Sequence, residues 1–428
     1  MSQPKIPVLL RLIYLLLKGI VLFVVRVFYG KVHILNRERL KLKGPAIIIS
    51  NHPSTMLDPL NVACRANRFV HFLANASLFE SRFTNWFFNT FYCIPVARQK
   101  DKTKRKINNQ ESFQRAYSFL KEGGCLYIAA EGISTQEHDL KPLRTGTARI
   151  ALGTEERNDF SLGLQIIPVG IYYEDAQRFR ARQILEVGEP ILLKEYENEN
   201  NKDHRRTVSL LTGVLNSQLA ERMVITEGVK QDQQFRLLEE ILAQEYPLNA
   251  GAHLKRSKKL AAWLRKGPSE FFQTKINALE DFLSESSIKI EALGSFTQFG
   301  LKQLLGLMLT PLGIIFNLAP TLIVWLVKRA LKLYDGYTSS VYVLAGLIFF
   351  PIFYRINNVV LSRWIDVGYW WPLTWLAYLI LGIISWYGLR NLISQWNRGR
   401  FRARLRASKE AREALANYLL LKEEIQNL

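Results

Sequence analysis

Ala46-Ile47-Ile48-Ile49-Ser50-Asn51-His52-Pro53-Ser54-Thr55-Met56-Leu57-Asp58-Pro59 opens as a short apolar, β-branched run and is then broken abruptly by Ser-Asn-His-Pro-Ser. The run predicts a buried strand, and the break puts His52 at that strand's C-terminal end. Open α/β sheets bind ligands along that edge. A neutral imidazole there can take a proton from a hydroxyl, and a carboxylate six positions on can hold its other nitrogen. His52 is the candidate base and Asp58 its orienting partner.

The chain around this stretch has 428 residues, room for two or three folded units. Its hydrophobic residues gather near the two ends, whereas the middle alternates as a soluble domain does. A formal net charge of +20 favours an anionic partner. Apolar segments beside that charge favour a phospholipid surface over nucleic acid. Cys64, Cys93 and Cys125 are an odd set without metal-ligand spacing, so they read as reduced thiols facing a cytosolic compartment.

From Pro7 to Tyr29 the chain is strongly apolar, with Arg11, Lys18 and Arg26 placed to share one sector of a helix. Such a helix suits the headgroup layer, so residues 1–30 are expected to be an interfacial or membrane-anchoring helix. A single span is the alternative by length. No small-residue cleavage site follows, so a signal peptide is not expected. From Lys31 the pattern becomes α/β. Strands are expected at Val32–Leu35, Ala46–Ser50, Val70–Leu73, Leu126–Ala130, Ile166–Tyr172 and Ile184–Val187. Helices are expected at Pro59–Ala66, Leu78–Thr90, Glu111–Lys121 and Gly146–Leu152. The alternation implies a mainly parallel sheet covered by helices, with functional loops along one edge.

Four loops carry chemistry. The first holds His52 and Asp58. In the second, Arg98 leaves the apolar segment Ile94-Pro95-Val96 and offers a planar donor fork suited to phosphate, ahead of the basic residues Lys102, Lys104, Arg105 and Lys106. In the third, Glu131 follows a strand directly and Gly132 permits a tight turn. Arg144 there precedes Thr145-Gly146-Thr147, which reads as a helix opening whose free N–H groups attract an anion. The fourth, around Pro168 and Val169, has little reactive chemistry and suits an apolar wall. His138-Asp139 alone does not make a metal site.

In this order and spacing the four blocks resemble the PlsC-like glycerophospholipid acyltransferase superfamily. Asn51, His52 and Asp58 match its first block, and Arg98 its second. Glu131, Gly132 and Ser134, with Arg144 and Gly146, match its third, and Pro168-Val169 its fourth. The resemblance runs from about Ala46 to Pro190. Five residues separate His52 from Asp58 where the family commonly has four, and Ala129-Ala130 replaces Phe-Pro before Glu-Gly. The longer spacing, together with Leu140-Lys141-Pro142-Leu143-Arg144-Thr145-Gly146 after the Glu-Gly block, looks like the glycerol-3-phosphate/dihydroxyacetone-phosphate acyltransferase subgroup.

The resemblance implies an acyltransferase domain over residues 31–193, with His52 and Asp58 catalytic. Arg98, Glu131, Gly132, Ser134, Arg144 and Gly146 would serve the acceptor's phosphate, and Pro168 and Val169 would wall the acyl chain. It further implies acyl-CoA or acyl-carrier protein as co-substrate, a phosphorylated glycerol acceptor, and no metal or other cofactor. A second reading keeps the fold but drops the chemistry: a membrane lipid-binding or scaffold protein disabled by the extra residue after His52. A serine esterase is disfavoured because no Gly-x-Ser-x-Gly elbow is present.

Residues 194–295 are charged and helical in period, and are expected to form a helical insert. The apolar run 304–327 contains Pro311 and Pro320, which predicts a re-entrant hairpin. Transmembrane helices are expected at 340–359 and 367–389, with Trp370, Trp371 and Trp375 near the headgroups. Residues 390–428 read as a basic cytoplasmic tail. Basic flanks on both sides place the active site of this integral membrane chain on the cytoplasmic face.

Overall fold

The computed structural model describes residues 7–90, 93–97, 108–245, 249–294, 300–364 and 370–428. The chain divides into two compact units, Met1–Ile225 and Thr226–Leu428. In the first the elements are α1 (Val8–Phe28), β1 (Lys31–Leu35), β2 (Ala46–Ser50), α2 (Leu57–Ala63), β3 (Val70–Asn75), α3 (Arg82–Thr90), β4 (Cys93–Val96), α4 (Asn109–Lys121) and β5 (Cys125–Ala129). They continue with α5 (Gly146–Glu156), β6 (Gln165–Tyr173), β7 (Arg182–Val187), β8 (Ile191–Leu192), α6 (Glu197–Lys202) and α7 (His204–Ala220).

The strands form one sheet in the order β1-β7-β6-β2-β5-β3-β4, with β8 pairing β6. Pairing is parallel except where β6 meets β7 and β8. β2 lies at the centre, and Ile47, Ile48 and Ile49 are wholly buried. A strand covered on both faces needs just such an unbroken apolar run. Ile47 and Ile49 share a core with Leu126 and Ile128 of β5, Ile150 and Ala151 of α5, and Leu211 and Leu215 of α7.

Two expectations shift here. Cys93–Val96, expected to lie in a loop, is a strand at the end of the sheet, and β8 is a further short one. Pro95 is tolerated in β4 because an edge strand can do without one ladder donor. The first unit also reaches Ile225, past the boundary expected at 193, because α7 supplies its apolar face to the sheet's core.

Helix α1 is docked along one side from Tyr14 onward. Val25, Phe28 and Tyr29 are buried, Tyr14 packs edge-on against Phe69, and the Lys18 ammonium donates to the carbonyl of Ala66 at 2.8 Å. Val8, Leu9, Leu12, Leu15, Leu16 and Phe23 remain exposed on the rest of its surface. Lys18 therefore faces the protein, not a basic edge shared with Arg11 and Arg26, because its stem can bury while its head caps an orphan carbonyl.

The second unit is helical: α8 (Gly228–Glu245), α9 (Ala250–Lys266), α10 (Glu270–Ser286), α11 (Leu301–Leu331), α12 (Thr338–Leu361), α13 (Trp371–Ala407) and α14 (Lys409–Gln426). Together with α1, the apolar stretches of α11, α12 and α13 make four helices long and apolar enough to cross a membrane. The hairpin expected at 304–327 is instead one continuous helix. Pro320 leaves the Phe316 carbonyl without its intrahelical donor. Asn357 of α12 donates to that carbonyl at 3.2 Å, so the helix continues through the proline.

Antiparallel packing of α11 on α13 depends on small residues. Asn317 lies against Gly382 and donates to the Tyr378 carbonyl, Ser385 donates to Thr310 O, and Thr310 lies against Gly388. Without a strong hydrophobic drive between apolar helices in lipid, close backbone approach and such hydrogen bonds hold the pair. Residues 390–428 are likewise folded and are not a free tail. Arg390 pairs with Glu291 at 2.9 Å, Arg400 donates to the Ser286 carbonyl at the C-terminus of α10, and α14 packs on α8 and α10.

A Cβ at position 388 would sit 1.9 Å from Thr310 Oγ1, whereas one at Gly346 would meet only Phe350 at 3.8 Å. Gly388→Val is therefore expected to lower the thermal midpoint in detergent by several degrees, and Gly346→Val to change it little. Equal midpoints for the two variants would refute this packing.

Candidate active site

The site forms where β2 and β5 end together. Ser50 lies opposite Ala129 on one side and Val169 on the other, so the loops leaving β2 and β5 emerge beside the continuing β6. β6 runs four residues further. The Asn51 side chain extends the ladder onto it, donating from Nδ2 to Ile171 O at 2.8 Å and accepting from Ile171 N at 2.7 Å. The residue after this anchor is His52.

His52 Nδ1 lies 3.1 Å from Asp58 Oδ2. A carboxylate can only accept, which fixes Nδ1–H as donor and leaves Nε2 with its lone pair. The imidazole is 18% exposed while the carboxylate is fully buried, and Nε2 has no partner among the described residues. Asp58 also accepts from the Ser54 backbone N–H at 2.6 Å and from the Tyr173 hydroxyl at 2.6 Å. It sits in the first turn of α2, where the helix dipole favours a negative charge.

The extra residue between His52 and Asp58 is taken up at Thr55. This residue adopts a left-handed backbone with φ of +36° and is buried. For a β-branched side chain that conformation costs about 1–2 kcal/mol. Ser134 braces the turn: its hydroxyl donates to His52 O at 2.6 Å and accepts from Thr55 N at 3.4 Å. Glu131, 3% exposed, accepts from Lys141 N at 3.2 Å and also from the His52 backbone N–H. Burial pushes its carboxyl up to about 7, against the pull of those two N–H donors.

Gly132 has φ of +70°, and Arg144 N donates to Ala130 O at 3.0 Å, so the Glu-Gly turn and the approach to α5 are tied together. The Arg144 side chain is exposed and has no ion-pair partner among the described residues. Gly146 begins α5, whose N-terminus has no side-chain cap. Pro168 and Val169 are buried in β6 beside Ile49 and Ser50, behind the loops. Arg98 lies outside the described residues.

His52, Asp58, Glu131 and Ser134 thus meet in space, with Gly132 and Arg144 adjoining. Glu131 and Ser134 hold the backbone that carries the imidazole. Ser54 and Tyr173 are the partners that sequence reasoning missed. The Tyr172-Tyr173 pair at the end of an apolar strand was the available signal for Tyr173. Among the described residues no three His, Cys, Asp or Glu side chains are grouped to hold a metal.

Residues 31–172 match the family model described as Acyltransferase. The chain carries an acyltransferase-family domain. Among curated proteins it is similar to glycerol-3-phosphate O-acyltransferase 2 of Saccharomyces cerevisiae, 38% identical over 118 residues that make up 27% of this chain and 16% of the relative. Glycerol-3-phosphate O-acyltransferase 1 of the same yeast is 32% identical over 104 residues, 23% and 14% of the two chains. The protein named taffazin of Dictyostelium discoideum is 30% identical over 148 residues, 32% of this chain and 48% of that protein. Each match therefore spans less than half of the relative's length. Among solved structures, the 1-acyl-sn-glycerophosphate acyltransferase PlsC of Thermotoga maritima aligns with a TM-score of 0.33 and 18% identity, over 48% of this chain and 79% of that one. The match to the family model contains the whole His52–Asp58 and Glu131–Gly146 constellation of the acyltransferase domain.

A carboxyl that titrates higher when folded than its ordinary value of 4.5 stabilises the fold fully below about pH 4.5, and that contribution is lost as pH rises through about 7. Glu131→Gln cannot ionise and keeps one acceptor oxygen. Thermal denaturation from pH 4.5 to 8 is expected to show the variant gaining on the parent as pH rises. Parallel curves would contradict this placement of Glu131.

Proposed function

We propose that this chain is a membrane-bound O-acyltransferase. It moves a fatty acyl group from acyl-CoA or acyl-carrier protein to a hydroxyl of glycerol-3-phosphate or 1-acylglycerol-3-phosphate in phospholipid biosynthesis. One observation carries this reading: within the matched domain, His52 is held by buried Asp58 at one nitrogen and is open at the other. Nε2 takes the proton of the acceptor hydroxyl as its oxygen attacks the thioester carbonyl. The tetrahedral intermediate then expels the thiolate, which takes the proton back from the imidazolium. The ionised Asp58 stabilises that imidazolium. The thioester carries its own activation, so the reaction requires no cofactor or metal.

Arg144, the uncapped N-terminus of α5 at Gly146, the turn at Gly132 and Arg98 would hold the acceptor's phosphate and so place its hydroxyl. Glu131 and Ser134 support the loop, and Pro168 and Val169 lie behind it. The extra residue that motivates a catalytically inactive lipid-binding protein is absorbed at Thr55 with the His–Asp contact intact, and this favours the enzyme.

Membrane association follows from the long apolar helices. We further propose that α11 leaves and α13 returns through the bilayer as a hairpin. Their polar flanks support this, since Arg390 and α14 pack with the segment that precedes α11. Arg390, Arg398, Arg400, Arg402, Arg404 and Arg406 lie at that near end, against Lys328, Arg329 and Lys332 at the other. The excess supports a cytoplasmic near end, and we propose that the acyltransferase domain faces the cytoplasm as well.

Purified chain assayed with glycerol-3-phosphate, dihydroxyacetone phosphate and lysophosphatidate, each against acyl-CoA and acyl-carrier protein, is expected to turn over at least one pair. His52→Ala should lower that rate by at least about 10³-fold. Turnover unchanged in the variant would reject the mechanism. For topology, the native cysteines are buried, so introduced ones report cleanly. Lys289→Cys and Arg406→Cys are expected to label from the cytoplasmic side and Leu333→Cys from the other. Labelling of residues 289 and 406 from opposite sides would defeat the hairpin.

A further inference from the structure

Asp58 has a partner beyond those the dyad requires, and that partner ends a chain of buried polar groups. Arg65 donates from Nε and Nη2 to Asn61 Oδ1 at 3.2 and 3.1 Å. Asn61 Nδ2 donates to Gln183 Oε1 at 2.6 Å, Gln183 Nε2 donates to the Tyr173 oxygen at 2.7 Å, and the Tyr173 hydroxyl donates to Asp58 Oδ1 at 2.6 Å. Asn61, Gln183, Tyr173 and Asp58 are each no more than 3% exposed.

The two ends force the orientation of everything between them. A guanidinium only donates, so Asn61 presents its oxygen to Arg65 and its amide nitrogen to Gln183. Gln183 must then offer its nitrogen to Tyr173, whose single hydrogen is left for the carboxylate. All the donors point from the cation toward Asp58, and aligned hydrogen bonds of this kind polarise one another.

We propose that Tyr173, oriented by Gln183, Asn61 and Arg65, is a positioning residue for the acyl transfer: it fixes the Asp58 carboxylate with Oδ2 facing His52 and tempers the basicity of the pair. This rests on the acyltransferase reading for its kinetic consequences but not for its effect on His52. Tyr173→Phe fills the same space and removes the donor to Oδ1, together with the oxygen that accepts from Gln183 Nε2. Asp58 then accepts more strongly from His52 and holds the imidazolium better, so the histidine titrates at higher pH.

Several other titratable groups face the dyad. Tyr127 is influenced by both Asp58 and Glu131, Tyr29 lies against Tyr173, and Glu131 has Asp139 and Lys141 beside it. Burial keeps the Tyr127 and Tyr173 phenols protonated throughout the neutral range. Glu131 titrates near neutrality, so the comparison is made in a Glu131→Gln background.

The full chain in micelles, labelled with 13C-histidine, gives six resonances to follow, and His52 is assigned by its loss in His52→Gln. Tyr173→Phe is expected to raise the His52 pKa by about half a unit or more. It should also lower kcat by about tenfold with KM within about twofold. Gln183→Leu, one link further out, should shift the histidine in the same direction by less, and it decides the matter if Tyr173→Phe does not fold. A His52 titration unmoved in the folded variants overturns the proposal. Absence of turnover in the parent on every acceptor would instead overturn the acyl-transfer reading and leave the titration to judge Tyr173.

Discussion

A carboxylate with no access to water has to be supplied with donors, and Asp58 is such a carboxylate. An uncompensated charge in that position would cost several kcal/mol. Its three donors come from the imidazole of His52, the backbone of Ser54 and the hydroxyl at the end of β6. The site therefore exists only when the loop after β2, the first turn of α2 and the tip of β6 are all in place. Stability of the fold and orientation of the imidazole are the same requirement.

The sheet meets that requirement through register. β2 is flanked by β5 and β6 running the same way, so two loops and one overshooting strand share a single edge. Asn51 turns the overshoot into a fixed anchor by pairing with the Ile171 backbone. Glu131 and Ser134 then tie the β5 loop to the backbone of His52. Among the described residues what remains free is small: the Nε2 face of one imidazole, an exposed guanidinium at Arg144 and the open start of α5. Under the proposed reaction, those are the groups that would meet the acceptor.

Much of this was legible in local sequence. Ala46–Ser50 had to be a doubly covered strand because it is apolar at every position before Ser50, and Gly132 had to turn because a side chain there would resist φ of +70°. The Tyr173–Asp58 contact joins residues 115 positions apart, and no periodicity encodes it. β4 was hidden by Pro95, which reads as a breaker until the strand is known to lie at an edge. α11 was misread for a similar reason, since Pro311 and Pro320 argue for a break unless a distant donor such as Asn357 takes the released carbonyl. Lys18 was grouped with two other basic residues by spacing alone, whereas its partner lies 48 positions away at Ala66.

The distance between His52 Nε2 and the acceptor hydroxyl tests the central claim most directly. It can be measured in an experimental structure of the full chain with its acceptor and a non-transferable thioether analogue of the acyl donor. The account predicts the hydroxyl within about 3.2 Å of Nε2, with the phosphate on Arg144 and the start of α5. An acceptor bound with its hydroxyl beyond the reach of one bridging water, or with His52 turned away from Asp58, would contradict it.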